Sequence, residues 1–488
     1  MIRFINLVLM ITVFFGGFVH AKTNVLFIMT DDLNCNIGAY GHPLVKTPHI
    51  DKLANEGRLF ENAFCNFPLC GPSRASFMTG LYPEQNGVTV LRRLFRDYVP
   101  DAVTMSQHFS ANGYKSTRVG KIYHYDNPKG IGTDGHDDPA SWDHKINPRG
   151  RDKDDEDITF SLNPGSFGAT LSWLAADGKD EEQTDGIVAT ESIKVLKQHA
   201  EDDTPFFLAV GFYKPHTPYV APKKYFDLYD LDEIVVPQIL DGYLDSIPES
   251  AAKTVTAFKN QIDLDDDLAR KSILAYYATI SFVDAQIGRV LNALDELGLR
   301  DNTVVVFSSD HGYHMGEHGH YQKNTLFEDA DRVPLILRAP GMKQPGASTE
   351  SFAEMIDFYR TLSELAGLSS VPEYVQGESL VPVLEDPGGI TRPDAFTQLH
   401  HGYTLRTKQF RYSRWNEGAP NNIELYNRLK DPAEMVNLAN DPDHSWVINQ
   451  LDKRLSERIK EATTHPDGLS FTAPLSDDRG VSKVDQYY

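Results

Sequence analysis

Two stretches of sequence, NVLFIMTDD at residues 24–32 and TVVVFSSDHG at residues 303–312, decide the fold. Each opens with a short apolar run, which is typical of a buried β-strand, and each leads into acidic residues. FFLAVGFYKPH at residues 206–216 repeats this pattern with a lysine and a histidine near its end, and YKSTRVGKIYH at residues 114–124 is a weaker example. Ligands of open α/β sheets bind beyond the carboxyl ends of the strands. The four segments therefore predict one sheet edge that carries the chemistry.

Amphipathic segments separate these strand candidates. The longest, at about residues 264–297, has apolar residues at helical spacing and stops near Gly298. Residues 44–60 and 184–200 are predicted to contain similar packing helices. Because short apolar strands alternate with helices, the sequence predicts the α/β class.

A second, smaller unit is expected after the α/β region. Residues 366–393 are rich in Gly and Pro, and residues 404–415 and 423–426 then look like strands of a small antiparallel sheet. A chain of 488 residues is also long for one core. We expect an N-terminal domain that carries the chemistry at residues 22–370 and a C-terminal α+β subdomain at residues 371–488.

The first 21 residues predict a signal peptide. Arg3 supplies a positive start, residues 4–18 are almost unbroken apolar sequence, and residues 19–21 (VHA) resemble a cleavage site. The apolar run is short for a membrane span and no stop-transfer pattern follows it. We expect export to the periplasm or secretion, with no stable membrane span after signal cleavage. An uncleaved N-terminal anchor is the alternative.

Composition narrows the classes of function. The formal net charge of −22 argues against a nucleic-acid binder, because such proteins carry a basic footprint. A small anionic substrate is not excluded, since surface charges are largely screened beyond roughly 10 Å. The three cysteines are Cys35, Cys65 and Cys70, and an odd number leaves at least one thiol unpaired in an exported protein. Cys35 and Cys65 have the context of ordinary thiols, which makes Cys70 the candidate for reactivity.

Cys70 opens the motif CGPSRASFMTG at residues 70–80. Pro72 suits the first turn of a helix and Gly80 suits its end. Cys70 would then lie at a helix N-terminus, where unpaired N–H groups and the helix dipole favour an anion. Arg74, one turn further on, could reach the same anion. The motif therefore predicts a nucleophile in an anion-binding position.

The C-x-P-S-R motif followed by T-G resembles the signature of the type I sulfatases, in which the cysteine is oxidised to formylglycine. The resemblance implies the alkaline-phosphatase-like sulfatase fold, a large mixed sheet sandwiched by helices, and a formylglycine-generating maturation enzyme as a partner. The hydrate of formylglycine has two hydroxyls on one carbon. One can attack sulfur and expel the alcohol, and the other can collapse to the aldehyde and release sulfate. Covalent catalysis is useful because it divides a hard step in this way.

The same resemblance implies a metal site. The pairs Asp31-Asp32 and Asp310-His311 resemble the metal ligands of this family. With an oxygen of the modified Cys70, the three carboxylates would form a hard site that suits Ca²⁺ better than zinc. His311 departs from a pure oxygen shell. Taken singly, an Asp after a strand is more often the cap of the next helix.

Four further residues complete the candidate catalytic set. By resemblance, Lys121 and Lys323 would hold sulfate oxygens, and His124 would serve the hydrated aldehyde as a base. His216 would protonate the leaving oxygen. A sugar alkoxide is a poor leaving group, so a positioned acid contributes about 10²–10⁴-fold. His318 is expected either to support the residues of the site from behind or to be a packing residue.

Residues 206–216 and 310–323 most resemble iduronate-2-sulfatase and its bacterial relatives. This resemblance implies an exo-acting enzyme on sulfated oligo- or polysaccharides, either uronic-acid-containing glycosaminoglycan fragments or algal ones such as ulvan. Further sugar contacts are predicted for Lys214, Tyr313, His400, His401 and Arg406.

Residues 125–168 are rich in Asp, Gly and Pro and show no clear periodicity. A structureless segment of this length is either functional or disordered. We expect a pocket-lining specificity loop, whose acidic run at residues 152–157 is simply solvated.

Two alternative functions stay open. A formylglycine-dependent phosphodiesterase or phosphonate hydrolase of the alkaline-phosphatase superfamily would use the same groups, and relative rates on sulfate and phosphate esters distinguish it. An inactive saccharide-binding pseudo-sulfatase would bind the sugar without releasing sulfate.

Overall fold

The computed structural model describes residues 22–472, apart from residues 263, 369 and 417–420, so the predicted signal peptide lies outside the described residues. The strands in this part of the chain are β1 (Asn24–Asp31), β2 (Arg58–Phe64), β3 (Lys115–Gly120), β4 (His144–Ile146), β5 (Phe160–Ser161), β6 (Ser172–Ala176), β7 (Phe206–Pro215), β8 (Tyr219–Pro222), β9 (Thr303–Ser309), β10 (Leu335–Arg338), β11 (Ser348–Glu354), β12 (Asp394–Leu399), β13 (Gly402–Thr407), β14 (Phe410–Trp415) and β15 (Ile423–Asn427). The α-helices are α1 (Pro48–Glu56), α2 (Cys70–Thr79), α3 (Pro83–Asn86), α4 (Met105–Ala111), α5 (Arg151–Asp154), α6 (Thr184–Asp202), α7 (Lys223–Phe226), α8 (Glu249–Val255), α9 (Asp266–Glu296), α10 (Glu328–Asp331), α11 (Asp357–Leu365), α12 (Val381–Glu385) and α13 (Ser445–Thr463).

An eight-stranded mixed sheet runs through the molecule in the order β11-β2-β10-β9-β1-β7-β3-β4. Its neighbouring strands pair in parallel, except that β10 is antiparallel to both β2 and β9. The central strands β1, β7 and β9 are buried along their whole length, as expected for strands covered on both faces. Asp31 at the end of β1 is in register with Pro215 of β7, and Thr30 with Ser309 of β9. The three strands that the sequence predicted most clearly therefore end at one edge.

Helices cover both faces of this sheet. Leu26 and Ile28 of β1 lie in one core with side chains of α1, α6 and α9. Phe27, one position along, lies in a second core with side chains of α2, α4 and α11. This alternation follows from the two-residue period of a strand. The predicted α/β fold, with a mixed sheet sandwiched by helices, is confirmed.

The small C-terminal sheet is also confirmed. It is antiparallel in the order β12-β13-β14-β15, and α13 packs against it. The stretch predicted at residues 404–415 is a hairpin of two strands, and β12 is an additional strand that the sequence analysis missed. Arg458 of α13 forms buried ion pairs with Asp394 of β12 and with Glu354 of β11 in the main sheet. The domain boundary at residue 370 stays a prediction.

The segment at residues 125–168 is more ordered than predicted. It contains β4, which extends the main sheet beside β3, and α5 and β5. β5 joins β6 and β8 in a separate three-stranded sheet. Across the described part of the chain, none of the helices combines the length and the apolar character that a membrane crossing requires.

Candidate active site

Cys70 is the first residue of α2, as its motif predicted. The helix ends at Gly80, whose φ of 69° is the left-handed conformation that favours glycine at a helix end. Every residue of α2 is buried, and only 1% of the surface of Cys70 is exposed. Burial raises the pKa of the Cys70 thiol well above its ordinary value, and Asp31 adds to this effect. An unmodified Cys70 would therefore be a protonated thiol and a weak nucleophile.

The predicted metal ligands surround this thiol. Cys70 Sγ lies 3.4 Å from Asp31 Oδ1 and 3.2 Å from His311 Nε2. Ligand atoms of Asp31, Cys70, Asp310 and His311 all lie within 4.8 Å of one another. The ends of β1 and β9 and the start of α2 thus bring four distant residues to one point.

Arg74 holds the acidic side of this cluster. Its Nε donates to Asp310 Oδ2 at 2.8 Å, and one terminal nitrogen lies 3.3 Å from Asp31 Oδ1. The other terminal nitrogen donates to the carbonyl oxygens of Lys121 and Ile122, both at 2.9 Å. Because its donors are taken up by protein acceptors and its side chain is fully buried, Arg74 positions carboxylates in this structure.

The two lysines predicted to hold sulfate each face one carboxylate. Lys121 Nζ donates to Asp31 Oδ2, and Lys323 Nζ donates to both oxygens of Asp32 at 2.7 Å. Burial raises the pKa of Asp32 to about 7, against the opposing effect of Lys323. For Asp31, burial also acts upward, but Lys121 and the other nearby cations outweigh it and hold the pKa well below its usual value.

Backbone carbonyls fix the tautomers of two histidines. His311 Nδ1 lies 2.8 Å from Gly312 O, and His216 Nδ1 lies 2.6 Å from Thr217 O. A carbonyl oxygen only accepts, so each Nδ1 carries the hydrogen and each Nε2 of the neutral ring presents a lone pair. Burial lowers the pKa of His311 to about 4, which keeps its ring neutral. His216 Nε2 is 3.7 Å from Asp32 Oδ2, and a ligand atom of His216 lies within 4.8 Å of Cys70 Sγ.

These donors fit a divalent cation. Carboxylate oxygens predominate, and the lone pair of His311 Nε2 lies 3.5 Å from Asp32 Oδ1 and from Asp310 Oδ2. The second ring nitrogen of a metal-binding histidine commonly donates a hydrogen bond to a carbonyl oxygen, as His311 Nδ1 does here. The residues that would hold the ion are Asp31, Asp32, Asp310 and His311, with the side chain at position 70.

His124 is supported by a residue that the sequence analysis missed. Its Nε2 lies 3.4 Å from Asp126 Oδ1, and its ring stacks on His136 with centroids 5.5 Å apart. Burial lowers the pKa of His124 to about 4, and Asp126 acts in the opposite direction. The sequence signal for this residue was an Asp two positions after the candidate base. It was overlooked because Asp126 lies in the segment at residues 125–168, which has no clear periodicity.

A cavity of about 390 Å³ opens above Cys70. We call the buried group around Cys70 the floor, and it consists of Cys70, Asp31, Asp32, Arg74, Lys121, Asp310, His311 and Lys323. We call the charged residues that line the cavity nearer to solvent the mouth, and they are Arg92, Asp126, Lys129, Lys153 and Glu156. His124 and His216 also line the cavity.

The segment at residues 125–168 lines this cavity, as predicted. The expectation that its acidic run is solvated is wrong at two positions. Asp152 is buried and its Oδ1 accepts hydrogen bonds from Thr184 N at 2.8 Å and Thr184 Oγ1 at 2.6 Å, which fixes the run to the start of α6. Glu156 pairs with Lys153 on the cavity wall.

The residues predicted to contact sugar are not brought to the cavity. Lys214 is buried and its Nζ donates to Pro218 O at 2.6 Å, and the hydroxyl of Tyr313 donates to Tyr321 O at 3.2 Å. Arg406 pairs with Glu328 at 2.8 Å. The polar groups of these three side chains are taken up by protein partners, and none of the three lines the cavity.

The remaining histidines lie elsewhere. His400 packs edge-on against Phe67, and His401 is exposed. His318 stacks on Phe327 with ring centroids 3.8 Å apart, so its assignment as a packing residue is confirmed. Two residues that the sequence analysis missed support the floor: the hydroxyl of Tyr276 donates to Asp32 O at 2.7 Å, and Ser73 Oγ donates to Asp310 O.

Comparison with known proteins agrees with this geometry. A family model described as Sulfatase matches residues 23–368, which is more than half of the chain. The chain belongs to the sulfatase family. A second model, the C-terminal region of N-sulphoglucosamine sulphohydrolase, matches residues 316–461. As a member of this family the protein is a sulfuric ester hydrolase.

Individual sulfatases are similar over most of the chain. Iduronate 2-sulfatase of Mus musculus is 31% identical, covering 88% of this chain and 93% of the mouse protein. The ulvan-active sulfatase of Formosa agariphila is 30% identical, covering 90% of this chain and 81% of that enzyme. Among solved structures, phosphonate monoester hydrolase of Agrobacterium radiobacter is similar, with a TM-score of 0.74, 25% identity, and coverage of 93% of this chain and 100% of that one. The resemblance to the iduronate-2-sulfatase branch is confirmed.

Proposed function

We propose that this sulfatase hydrolyses sulfate esters of saccharides with a formylglycine derived from Cys70. The observation that carries the proposal is the position of Cys70 Sγ, at the N-terminus of α2 and 3.4 Å and 3.2 Å from the two ligand pairs represented by Asp31 and His311. Burial keeps Cys70 a protonated thiol, and the two acceptors nearest to it, Asp31 Oδ1 and His311 Nε2, are proposed metal ligands that would not be free to take its proton when the ion is bound. Conversion to the hydrated aldehyde supplies hydroxyl oxygens at the same point, which is the chemistry that sulfate transfer requires.

The ligand atoms of the floor support a divalent cation, for which we propose Ca²⁺. The carboxylates of Asp31, Asp32 and Asp310 face the permanent cations of Arg74, Lys121 and Lys323, so the floor is balanced without an ion. When bound, the ion would supply two further positive charges for the sulfate group and the nucleophile. Oxygen-rich ligand sets of this kind suit Ca²⁺.

The remaining floor and wall residues have proposed roles that follow from their atoms. Lys121 and Lys323 lie within reach of Asp31 and Asp32, and their remaining donors can bind sulfate oxygens. His216 presents Nε2 to the floor, 3.7 Å from Asp32 Oδ2. After this atom has taken up a proton, it would give that proton to the leaving alcohol oxygen. His124, on the cavity wall beside Asp126, would take the proton from the hydrated aldehyde.

The substrate is proposed from the relatives and the cavity. One relative is named as an iduronate 2-sulfatase and another as an ulvan-active sulfatase. We propose exo-acting hydrolysis of glycosaminoglycan or algal polysaccharide fragments. The chain would be exported by the segment at residues 1–21 and would need a formylglycine-generating enzyme as a maturation partner.

Two measurements test the proposal. Mass spectrometry of the peptide that contains Cys70 should show the mass of formylglycine when the chain is produced with a maturation enzyme. Sulfate release from defined sulfated oligosaccharides should accompany that modification. Sulfate release at the same rate from preparations with and without the modification would contradict the proposal.

A phosphonate or phosphate diester hydrolase is the second candidate, and the similarity to phosphonate monoester hydrolase favours keeping it. The two activities are separated by kcat/KM on matched esters of one alcohol. A sulfatase should prefer the sulfate ester, whereas a higher kcat/KM on the phosphonate or phosphate diester would assign the second function.

A further inference from the structure

The mouth of the cavity concentrates positive charge in a strongly acidic protein. Arg92, Lys129 and Lys153 all line the cavity, in a chain whose formal net charge is −22. Two carboxylates lie among them: Asp126 Oδ2 is 3.3 Å from Arg92, and Glu156 pairs with Lys153. Three cations and two carboxylates leave an excess positive charge at a point where substrate must pass.

Lys129 is the cation that carries this excess. Its side chain is exposed, and within the described residues its ammonium group forms no ion pair or hydrogen bond. Arg92 is only partly engaged, because its contacts with Asp126 are long, at 3.3 and 3.4 Å. Both side chains can therefore turn toward an anion in the cavity without losing a close partner.

Two further side chains of the cavity wall carry buried hydrogen-bond acceptors. Asn127 and Asn324 line the cavity and are 6% and 7% exposed. Their Oδ1 atoms are buried without a hydrogen-bond partner among the described residues. Buried polar atoms are normally hydrogen-bonded, so acceptors of this kind point to a ligand that brings donors. The hydroxyls of a sugar ring supply such donors.

We propose that the substrate is a saccharide with a second anionic group, a carboxylate or another sulfate, which Lys129, Arg92 and Lys153 bind at the mouth. In this arrangement the first sulfate lies at the floor, Asn127 and Asn324 accept hydrogen bonds from ring hydroxyls, and the second anion meets the excess positive charge. The proposal rests on the proposed function and adds the residues that select the substrate.

The first test compares charge preference in matched variants. Two substrate pairs are used: a 2-sulfated uronate disaccharide and its methyl ester, and a hexosamine 6-sulfate disaccharide with and without a second sulfate. The preference for the more anionic member, as a ratio of kcat/KM values, should fall about tenfold in Lys129→Gln, because a charge-assisted contact is lost. Lys253→Gln is the control, since Lys253 is an exposed lysine that pairs with Glu249 on α8. It should keep the wild-type ratio.

A second test measures binding without turnover. Calorimetry of the same disaccharides with a Cys70→Ala protein should show tighter binding of the more anionic member, and Lys129→Gln in that background should remove the difference. If Lys129→Gln lowers the preference only for the uronate pair, the second anion is a carboxylate. If it lowers the preference only for the hexosamine pair, the second anion is a sulfate. Equal ratios in wild type and Lys129→Gln for both pairs would overturn the proposal.

Failure of the subsite is distinguishable from failure of the proposed function. If the wild-type enzyme releases sulfate from the less anionic members but shows no charge preference, the subsite alone is wrong. If it releases sulfate from none of the four substrates while hydrolysing phosphonate or phosphate esters, the proposed function is wrong as well.

Discussion

The floor and the mouth of one cavity are built in opposite ways. Floor charges are fully buried, and Arg74, for example, has its donors held by Asp310, Asp31 and backbone carbonyls. Mouth charges are at least partly exposed: Lys153 pairs closely with Glu156, Arg92 pairs with Asp126 at 3.3 Å, and Lys129 has no partner among the described residues. Buried pairs are costly to break, whereas exposed pairs contribute little to stability. The floor is therefore suited to fixed chemistry and the mouth to recognition, and four predictions test this division.

The largest effect is expected at the nucleophile. Cys70→Ala should lower kcat for sulfate release by more than about 10⁴-fold, because removal of a nucleophile leaves only binding and electrostatic contributions. Sulfate release by the matured enzyme is the measurement. Cys35→Ala, at a half-buried thiol outside the cavity lining, is the control and should keep wild-type activity. Full activity in Cys70→Ala would show that the reaction does not take place at the floor.

His216→Ala should separate acid catalysis from binding. We expect a loss of about 10²–10⁴-fold in kcat on sugar sulfates, because their alkoxide leaving groups need a proton. Aryl sulfates have better leaving groups and should lose less. His444→Ala, at a histidine that pairs with Asp441 beside α13, is the matched control. Equal losses on both substrate classes would show that His216 is not the acid.

Calcium should stabilise the floor but not the mouth. At about 100 times its Kd, a ligand that binds only the folded state raises the free energy of unfolding by about 2.7 kcal/mol. We expect this increase in wild type and a much smaller one in Asp310→Asn, while Glu156→Gln at the mouth should respond as wild type does. Thermal unfolding with Ca²⁺ and with a chelator measures it. An equal response of Asp310→Asn and wild type would place the ion elsewhere.

The smallest effect is expected where the mouth is attached to the scaffold. Asp152→Ala should lower the free energy of unfolding by about 1 kcal/mol, because Thr184 N and Oγ1 lose their acceptor. Asp154→Ala is the control, since Asp154 is exposed and pairs only at the surface. Urea unfolding midpoints compare the two, and identical midpoints would mean that the run at residues 152–157 is not anchored through Asp152.

Sequence reasoning reached most of the floor and little of the mouth, for a physical reason. Asp31 and Asp310 follow buried strands, and Cys70 begins a helix with recognisable ends, so each position had a local pattern that fixes its place in the sheet. Arg92, Asn127 and Lys129 have no such pattern, because their positions depend on how a loop packs. β12 was missed for a similar reason, since Asp394–Leu399 follows the Pro-rich connector directly.

The predicted sugar contacts show how a sequence pattern can suggest a substrate contact that the structure does not have. Lys214 stands in β7, two residues before His216, and a regular strand would place both side chains on one face. β7 ends at Pro215, however, so this period does not extend to His216. The ammonium group of Lys214 donates to Pro218 O, and Lys214 is not among the residues that line the cavity. Sequence proximity to a catalytic residue was a poor guide to substrate contact.

The burial of α2 has a consequence for the maturation of the protein. Only 1% of Cys70 is exposed, and every other residue of its helix is buried as well. The maturation enzyme proposed above would need to reach this side chain, and the folded chain leaves almost none of it accessible. The proposed modification would therefore have to precede the closing of the sheet around α2, and the order of modification and folding would decide how many molecules become active.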